Sequence, residues 1–296
     1  MKEVAVSART TKSSPLPVSS LSAALGGEVT GMDVREISAD ILRETLAKYG
    51  VLAFRDQNLT SRQFVEIGRR LGELEYHVLD QYRMQDDPEV YVISNIVENG
   101  VPLGNPKEGF GWHTDLSYMS HPTAYTLLYG VEVPDEGADT LFCNTREALN
   151  GLSPDLKERV EHLKAVHSYV FMRMGNADYR RANQVKEDLR KDQIARVPDV
   201  IHPVVRTHPV DGTRSLYLGG DCLARFVDMN PEESKQLASL LLEHVREPQF
   251  RYAHKWRKND VVIWDNRFTM HTATEYDRDR YRRLIWRISV RGESPV

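Results

Sequence analysis

The sequence predicts a mostly β fold with flanking helices, closed into a jelly-roll or barrel core. Three observations carry this. Short apolar or alternating runs bounded by turn residues recur through the second two-thirds of the chain, at 123–133, 204–210, 216–218, 250–253, 261–264 and 284–290. Helical periodicity is confined to a few capped segments. No internal repeat, low-complexity tract or linker divides the 296 residues, so one domain over 17–296 is expected behind a flexible polar tail at 1–16.

Each element has a local cause. The glycines of Leu25-Gly26-Gly27-Glu28-Val29-Thr30-Gly31 suit a turn between two short strands, and no phosphate-binding lysine follows them. Ser38 caps a helix with Ile41, Leu42, Leu46 and Tyr49 on one face, stopped by Gly50. Residues 51–54 form a buried strand, and Thr60 with Gln63 forms a capping box for a helix carrying Phe64, Ile67 and Leu71 inward. Residues 91–93 read as another strand, and a loop at 99–111 leads into Trp112-His113-Thr114-Asp115. Ser153 and Pro154 open a third helix, and Asn230 and Pro231 a fourth with Leu237, Leu241 and Val245 inward. Residues 172–199, dense in charge and without periodicity, suit either a solvated loop or an active-site lid.

Composition narrows the function. A formal net charge of -4 offers no basic excess for nucleic acid or a membrane surface. Cys143 and Cys222 are too few for a disulfide framework and read as buried thiols. Without a signal-peptide core or a membrane-length apolar run, a cytoplasmic location is the expectation.

The first chemical signal is His113-x-Asp115. On a strand, residues two apart share a face, so an imidazole and a carboxylate aim at one point. That is two-thirds of a 2-His-1-carboxylate set of the kind that holds ferrous iron with positions open. Alone it is weak: 10 His and 43 acids in 296 residues produce such a pair about once or twice by chance. His271, beyond the 261–264 strand, is one candidate among several for the second imidazole.

The second signal follows His271. Alternation over 283–290 puts Leu284, Trp286, Ile288 and Val290 on one face and Arg283, Ile285, Arg287 and Ser289 on the other. Two guanidiniums facing a barrel interior are costly unless anions satisfy them, and a guanidinium fork matches a carboxylate. The bland alternative pairs both arginines with acids on a solvated sheet edge.

Read together, these motifs resemble the TauD/TfdA family of Fe(II)- and 2-oxoglutarate-dependent dioxygenases, nearest in pattern to its taurine dioxygenases. The resemblance spans about residues 17–290 and includes Leu25-Gly26-x-x-Val29-x-Gly31-x-Asp33, Asp139-Thr140, the stretch His202-Pro203-Val204-Val205-Arg206-Thr207-His208-Pro209 and Trp264-Asp265-Asn266-Arg267-x-x-x-His271. It implies a double-stranded β-helix (jelly roll) core. It implies iron ligation by His113, Asp115 and His271, and O2 as a further co-substrate. The distal carboxylate of 2-oxoglutarate is expected on Thr140 and Arg283, with Arg282 a rival for the arginine's place. Arg287, His77, Asn95 and the backbone of Leu116 are expected to contact the prime substrate.

Two stretches depart from the pattern: the region around Tyr169 to Tyr179 matches poorly, and 219–222 loses an aromatic wall. Taurine dioxygenases have Asn-Glu-Gly-Phe where this chain has Gly219-Gly220-Asp221-Cys222.

The activity implied is hydroxylation of an unactivated C–H of a small organic anion (sulfonate, sulfate ester, carboxylate or phosphonate), with or without C–heteroatom cleavage, releasing succinate and CO2. A homo-oligomer is implied as well. Competing readings are a non-catalytic protein that binds metal and 2-oxoglutarate, and a zinc hydrolase using the same three ligands.

Overall fold

The structure, a computed structural model, describes residues 16–296 apart from 78, 108, 184, 186 and 187. Its central strand is Thr123–Glu132, whose first eight residues are all buried. Val261–Asp265 pairs with it on one side and Leu284–Arg291 on the other, both antiparallel. The sheet continues past Val261–Asp265 through Val51–Phe54, Gly27–Val29 and Val18–Ser20. Past Leu284–Arg291 it takes up Leu74–Glu75 and Tyr91–Ser94. Gly27–Val29 and Val51–Phe54 run parallel, which the helix Ala39–Tyr49 between them makes possible.

Both faces of this sheet are covered. Along Val261–Asp265, Val261 and Ile263 join one apolar cluster, with Leu42, Leu46, Phe64 and Ile288. Val262 and Trp264 join another, with Ile285, Phe142 and Tyr252. Side chains of a strand alternate between faces, so one face packs under the two N-terminal helices and the other meets a smaller sheet. That smaller sheet runs Arg251–His254, Thr140–Asn144, Thr269–Ala273. A further sheet of Val200–Pro203, Lys164–His167 and Leu223–Phe226 packs with the helix Pro231–Val245.

The caps fall where expected. Ser38 Oγ accepts from the Ile41 amide, and Thr60 and Gln63 form the reciprocal capping box of helix Ser61–Leu71. Ser153 caps Pro154–Glu161, and Asn230 caps Pro231–Val245. The alternation over 283–290 also holds: Ile288 and Val290, with Leu284 and Trp286 beside them, lie in the helix-facing cluster, and Ile285 lies in the inner one.

Three expectations are corrected. Residues 112–115 are not a strand: only His113 makes ladder contacts, and Asp115 already lies in a turn, because Leu116 takes a left-handed φ of 49°. Residues 172–199 are not a featureless excursion but contain a π-helical turn at Phe171–Gly175 and short helices at Ala177–Ala182 and Lys191–Arg196. The strand Thr269–Ala273, which carries His271, went unpredicted because it is buried nearly throughout and shows no alternation.

The tail expected at 1–16 lies outside the described residues except for Leu16, which packs on the helix-facing cluster. Both cysteines are free and buried, and burial pushes each thiol up to about 12. Among the described residues, no helix is long and apolar enough to cross a membrane.

Candidate active site

His113 and His271, far apart in sequence, are cross-strand neighbours. Each backbone amide donates to the other's carbonyl, at 3.0 and 2.9 Å. Their rings lie 4.3 Å apart, with Asp115 between them in reach. His113 Nε2 is 3.6 Å from one Asp115 oxygen and His271 Nε2 is 3.7 Å from the other. One nitrogen or oxygen from each of the three lies within 4.8 Å of the others.

What holds these groups also sets their chemistry. His113 Nδ1 sits 2.8 Å from the Gly111 carbonyl, which accepts a hydrogen bond from Nδ1–H and leaves the Nε2 lone pair for a metal. His271 is wedged against Trp264 and Phe142. Asp115 is held by a polar chain that begins in the core. Trp264 Nε1 donates to Asn266 Oδ1 (3.0 Å), Asn266 Nδ2 to Thr126 Oγ1 (2.9 Å), and Thr126 Oγ1 to Asp115 Oδ2 (2.6 Å). Arg287 Nη2 donates to Asp115 Oδ1 at 2.7 Å. Burial favours the neutral acid, but Arg287 foremost, then the imidazoles, hold the Asp115 carboxyl well below the usual range. Burial drives His271 down to about 3, whereas the Asp115 partner outweighs burial at His113 and raises it. A buried carboxylate and two imidazoles, with one ring locked by its other nitrogen, fit a divalent metal.

Arg283 is 6% exposed, and its Nε has no hydrogen-bond partner among the described residues. No acid pairs with it there. Burial pushes this guanidinium down to about 10, offset in part by the nearby Tyr276 and reinforced by Arg278. Arg282 points outward to Glu132 at 2.9 Å and its side chain is 58% exposed, which removes it as a rival. Thr140, buried, accepts from Trp256 Nε1 at 3.1 Å, so its own hydroxyl proton is left to donate.

A cavity of about 590 Å3 opens beside the triad. His113, Asp115, Leu116, Arg287 and His77 are on its wall, with Tyr82, Phe110, Tyr118, Tyr169 and Tyr179 as aromatic surface. His77 stacks on Tyr91 with ring centroids 3.7 Å apart, and its Nδ1 accepts from the Leu79 amide. Burial, then the Arg287 charge, takes His77 down to about 3, so it is neutral with Nε2–H as a donor. The cavity wall also includes Met172, Arg173, Tyr179, Asn183 and Val185 of the 172–199 segment.

Asn95 is not on that wall, and neither are Arg283, Thr140 and His271. Asn95 Nδ2 donates to the carbonyls of Arg278 and Tyr281, and its Oδ1 accepts from the Arg283 amide. Its capacity is spent fastening the chain that presents Arg283. The functional groups that sequence reasoning missed are the clamps Thr126 and Asn266; it singled out 219–222 as altered but did not show why glycine is needed there. Asn266 had a signal, inside Trp264-Asp265-Asn266-Arg267. A side chain on Gly220 would meet the Trp112 carbonyl at 1.8 Å, and Gly219 and Gly220 have φ of 69° and 61°, so both positions require glycine for the bridge to His113.

The same segment contains a buried ionic knot. Arg267 grips both Asp265 oxygens (2.8 and 2.7 Å), and His208 Nε2 lies 3.0 Å from one of them. Burial opposes the charge, but Arg267 and His208 hold the Asp265 carboxyl below its ordinary 3.8. Asp265→Asn should cost up to about 3 kcal/mol at neutral pH, because Arg267 loses its buried counter-charge and keeps only the partly exposed Glu293 at 3.6 Å. The native contribution is complete above the ordinary carboxyl value and fades as acid passes the depressed one, so denaturant melts of both proteins should converge only in strong acid.

A buried His-Asp-His set beside a cavity, with a buried guanidinium that no acid pairs among the described residues, fits the class of metalloenzymes that use a carboxylate co-substrate. A family model described as "Taurine catabolism dioxygenase TauD, TfdA family" matches residues 12–289. The chain belongs to that family and is a 2-oxoglutarate-dependent dioxygenase. It is 30% identical to pentalenolactone F synthase of Streptomyces arenae over 93% of this chain and 94% of that one. It is 31% identical to an alpha-ketoglutarate-dependent sulfonate dioxygenase of Saccharomyces cerevisiae, over 95% of this chain and 68% of the relative. Among solved structures, AAD-2 in complex with Mn(II) and N-oxalylglycine superposes with a TM-score of 0.78 at 28% identity, covering 95% of this chain and 98% of that one.

Proposed function

We propose that this enzyme uses Fe(II), held by His113, Asp115 and His271, to oxidise a C–H bond of a small organic anion. Arg283 and Thr140 hold the distal carboxylate of 2-oxoglutarate, and Arg287, His77 and the Leu116 amide meet the substrate's anionic group. We read the two facing sheets as the double-stranded β-helix of the family, with 172–199 covering the cavity.

The observation that carries the reading is Arg283. A buried guanidinium without a carboxylate is costly, and an anion brought by a co-substrate relieves that cost. A zinc hydrolase has no use for it. When bound, the iron supplies O2 chemistry, coupling decarboxylation of 2-oxoglutarate to succinate and CO2 with hydroxylation of the substrate.

This chain's residues do the rest. Arg283 and the Thr140 hydroxyl orient the co-substrate by its far end. The Trp264–Asn266–Thr126 chain fixes Asp115 so that its oxygens cannot rotate. Arg287 donates to Asp115 at 2.7 Å from the cavity wall, and its guanidinium is the group we assign to the substrate anion. Neutral His77 adds a donor without adding charge. The tyrosines and the 172–199 segment exclude water. The names of relatives, a sulfonate dioxygenase among them, support an anionic substrate.

Anaerobic addition of Fe(II) and 2-oxoglutarate should produce a weak visible charge-transfer band, and a panel of small organic anions should include one that stimulates succinate release under O2. Absence of both would sink the reading. Arg287→Ala should leave 2-oxoglutarate affinity close to native while kcat/KM for the prime substrate falls roughly 10- to 100-fold. The reverse pattern would show that the two arginines have exchanged roles.

A further inference from the structure

We infer that Trp256 is a positioning residue for the co-substrate: its indole N–H fixes the Thr140 hydroxyl as a donor to the distal carboxylate of 2-oxoglutarate and so strengthens the preference for a dicarboxylate. The inference rests on the function proposed above and deepens its account of the Thr140 and Arg283 end of the site.

Alternation places Trp256. Over 251–257, Tyr252, His254 and Trp256 are buried and the residues between them are exposed, as on a strand with one covered face. Strand Arg251–His254 pairs with Thr140–Asn144, with His254 opposite Thr140. Two residues further on, Trp256 Nε1 reaches Thr140 Oγ1 at 3.1 Å. The indole has little freedom to leave. The His254 ring meets it edge-on at 4.8 Å, and a methyl group on Gly130 would lie 3.2 Å from it. His254 is itself held by the Tyr252 hydroxyl at 3.0 Å and by Asp260 at 3.2 Å.

Thr140 shares its strand face with Phe142, whose ring packs on His271. Phe142 lies in one apolar cluster with Ile285, and Arg283 shares the strand face of Ile285. Thr140 and Arg283 therefore face the same interior, between the two sheets.

The direction of the bond carries the inference. An indole N–H can only donate, whereas a hydroxyl both donates and accepts. With Trp256 donating, Thr140 Oγ1 is the acceptor on that side, and its proton has to point elsewhere. Thr140 is 4% exposed, and among the described residues nothing accepts that proton. Thr126, Thr269 and Ser94, also buried, each donate to a protein oxygen at 2.6, 2.8 and 2.8 Å. A buried donor without an acceptor is costly. A carboxylate accepts and cannot donate, so one anion relieves Thr140 and Arg283 together, and a methyl group in its place relieves neither. Without the indole, the hydroxyl is free to turn its lone pairs to the co-substrate, and the bond is lost for part of the time.

The test is calorimetric titration of the Mn(II)-loaded protein, without O2, with 2-oxoglutarate and with 2-oxovalerate, which has a methyl group where the distal carboxylate stands. Trp256→Phe should weaken 2-oxoglutarate binding roughly 3- to 20-fold and leave 2-oxovalerate near its native affinity. Thr140→Val should weaken 2-oxoglutarate at least as much, and adding Trp256→Phe to it should cost nothing further, because the indole acts through the hydroxyl. Benzothienylalanine at 256, with sulfur in place of the N–H in a ring of the same shape, should reproduce Trp256→Phe without disturbing the packing. Native Mn(II) affinity reports that each variant is folded. Equal losses on both oxo acids, additive losses in the double variant, or native 2-oxoglutarate affinity with benzothienylalanine overturns the inference and leaves the dioxygenase reading standing. A native protein that binds no 2-oxoglutarate overturns both.

Discussion

Arg283→Ala should weaken 2-oxoglutarate binding roughly 100- to 1,000-fold, the cost of removing one partner from a buried charge pair. The native guanidinium is buried without an acid, so its loss should not destabilise the unliganded protein. Two thermal melts separate this from a folding defect. Without ligand the variant should melt at or above the native temperature. With saturating 2-oxoglutarate and Mn(II), the native protein should gain stability by linkage and the variant should gain only what the metal alone confers. A variant that still binds 2-oxoglutarate at native affinity would remove Arg283 from the site.

Asp115→Ala should act in two ways at once. It deletes the only carboxylate among the three clustered ligands, so calorimetric titration should show no specific Fe(II) or Mn(II) binding. It also leaves the Arg287 guanidinium without its 2.7 Å partner, which should cost about 3–5 kcal/mol in denaturant unfolding of the metal-free protein. Asp115→Asn separates the two effects, since an amide oxygen can still accept from Arg287. A stability loss in Asp115→Ala that Asp115→Asn restores in part, with metal binding lost in both, is the expected pattern. Unchanged metal affinity in Asp115→Ala would refute the triad.

Much of the site was legible where chemistry is local. Helix starts at Ser38, Thr60, Ser153 and Asn230 followed from capping side chains that bond within three residues. The inward face of Arg283 and Arg287 followed from the two-residue period of a strand with one core-facing side. That same period separated Arg283 from Arg282, and the structure places Arg282 on solvent-exposed Glu132. The period misled at 112–115, where the convergence of His113 and Asp115 comes from a left-handed turn at Leu116 and not from a shared strand face.

Other features left no local trace. Thr126 looks like any β-branched strand residue until Asn266 and Asp115 are brought against it. Gly219 and Gly220 read as the loss of an aromatic wall, and the structure shows backbone close to backbone beside His113. Asn95 had the right residue type for a substrate contact, but its side chain is bonded to the backbone of the chain that carries Arg283.

The sequence by itself determined the class of chemistry, because donor types are covalent facts. Two imidazoles, a carboxylate and two arginines at strand spacing are present whatever the fold does with them. Only the tertiary structure decided which of these groups are already satisfied. Arg287 has an acid at 2.7 Å, Asn95 is saturated by backbone, and Arg283 has no acid among the described residues. Satisfaction of a buried charge depends on what distant segments bring within about 3 Å of it, a sum over the whole fold that no stretch of chain encodes alone.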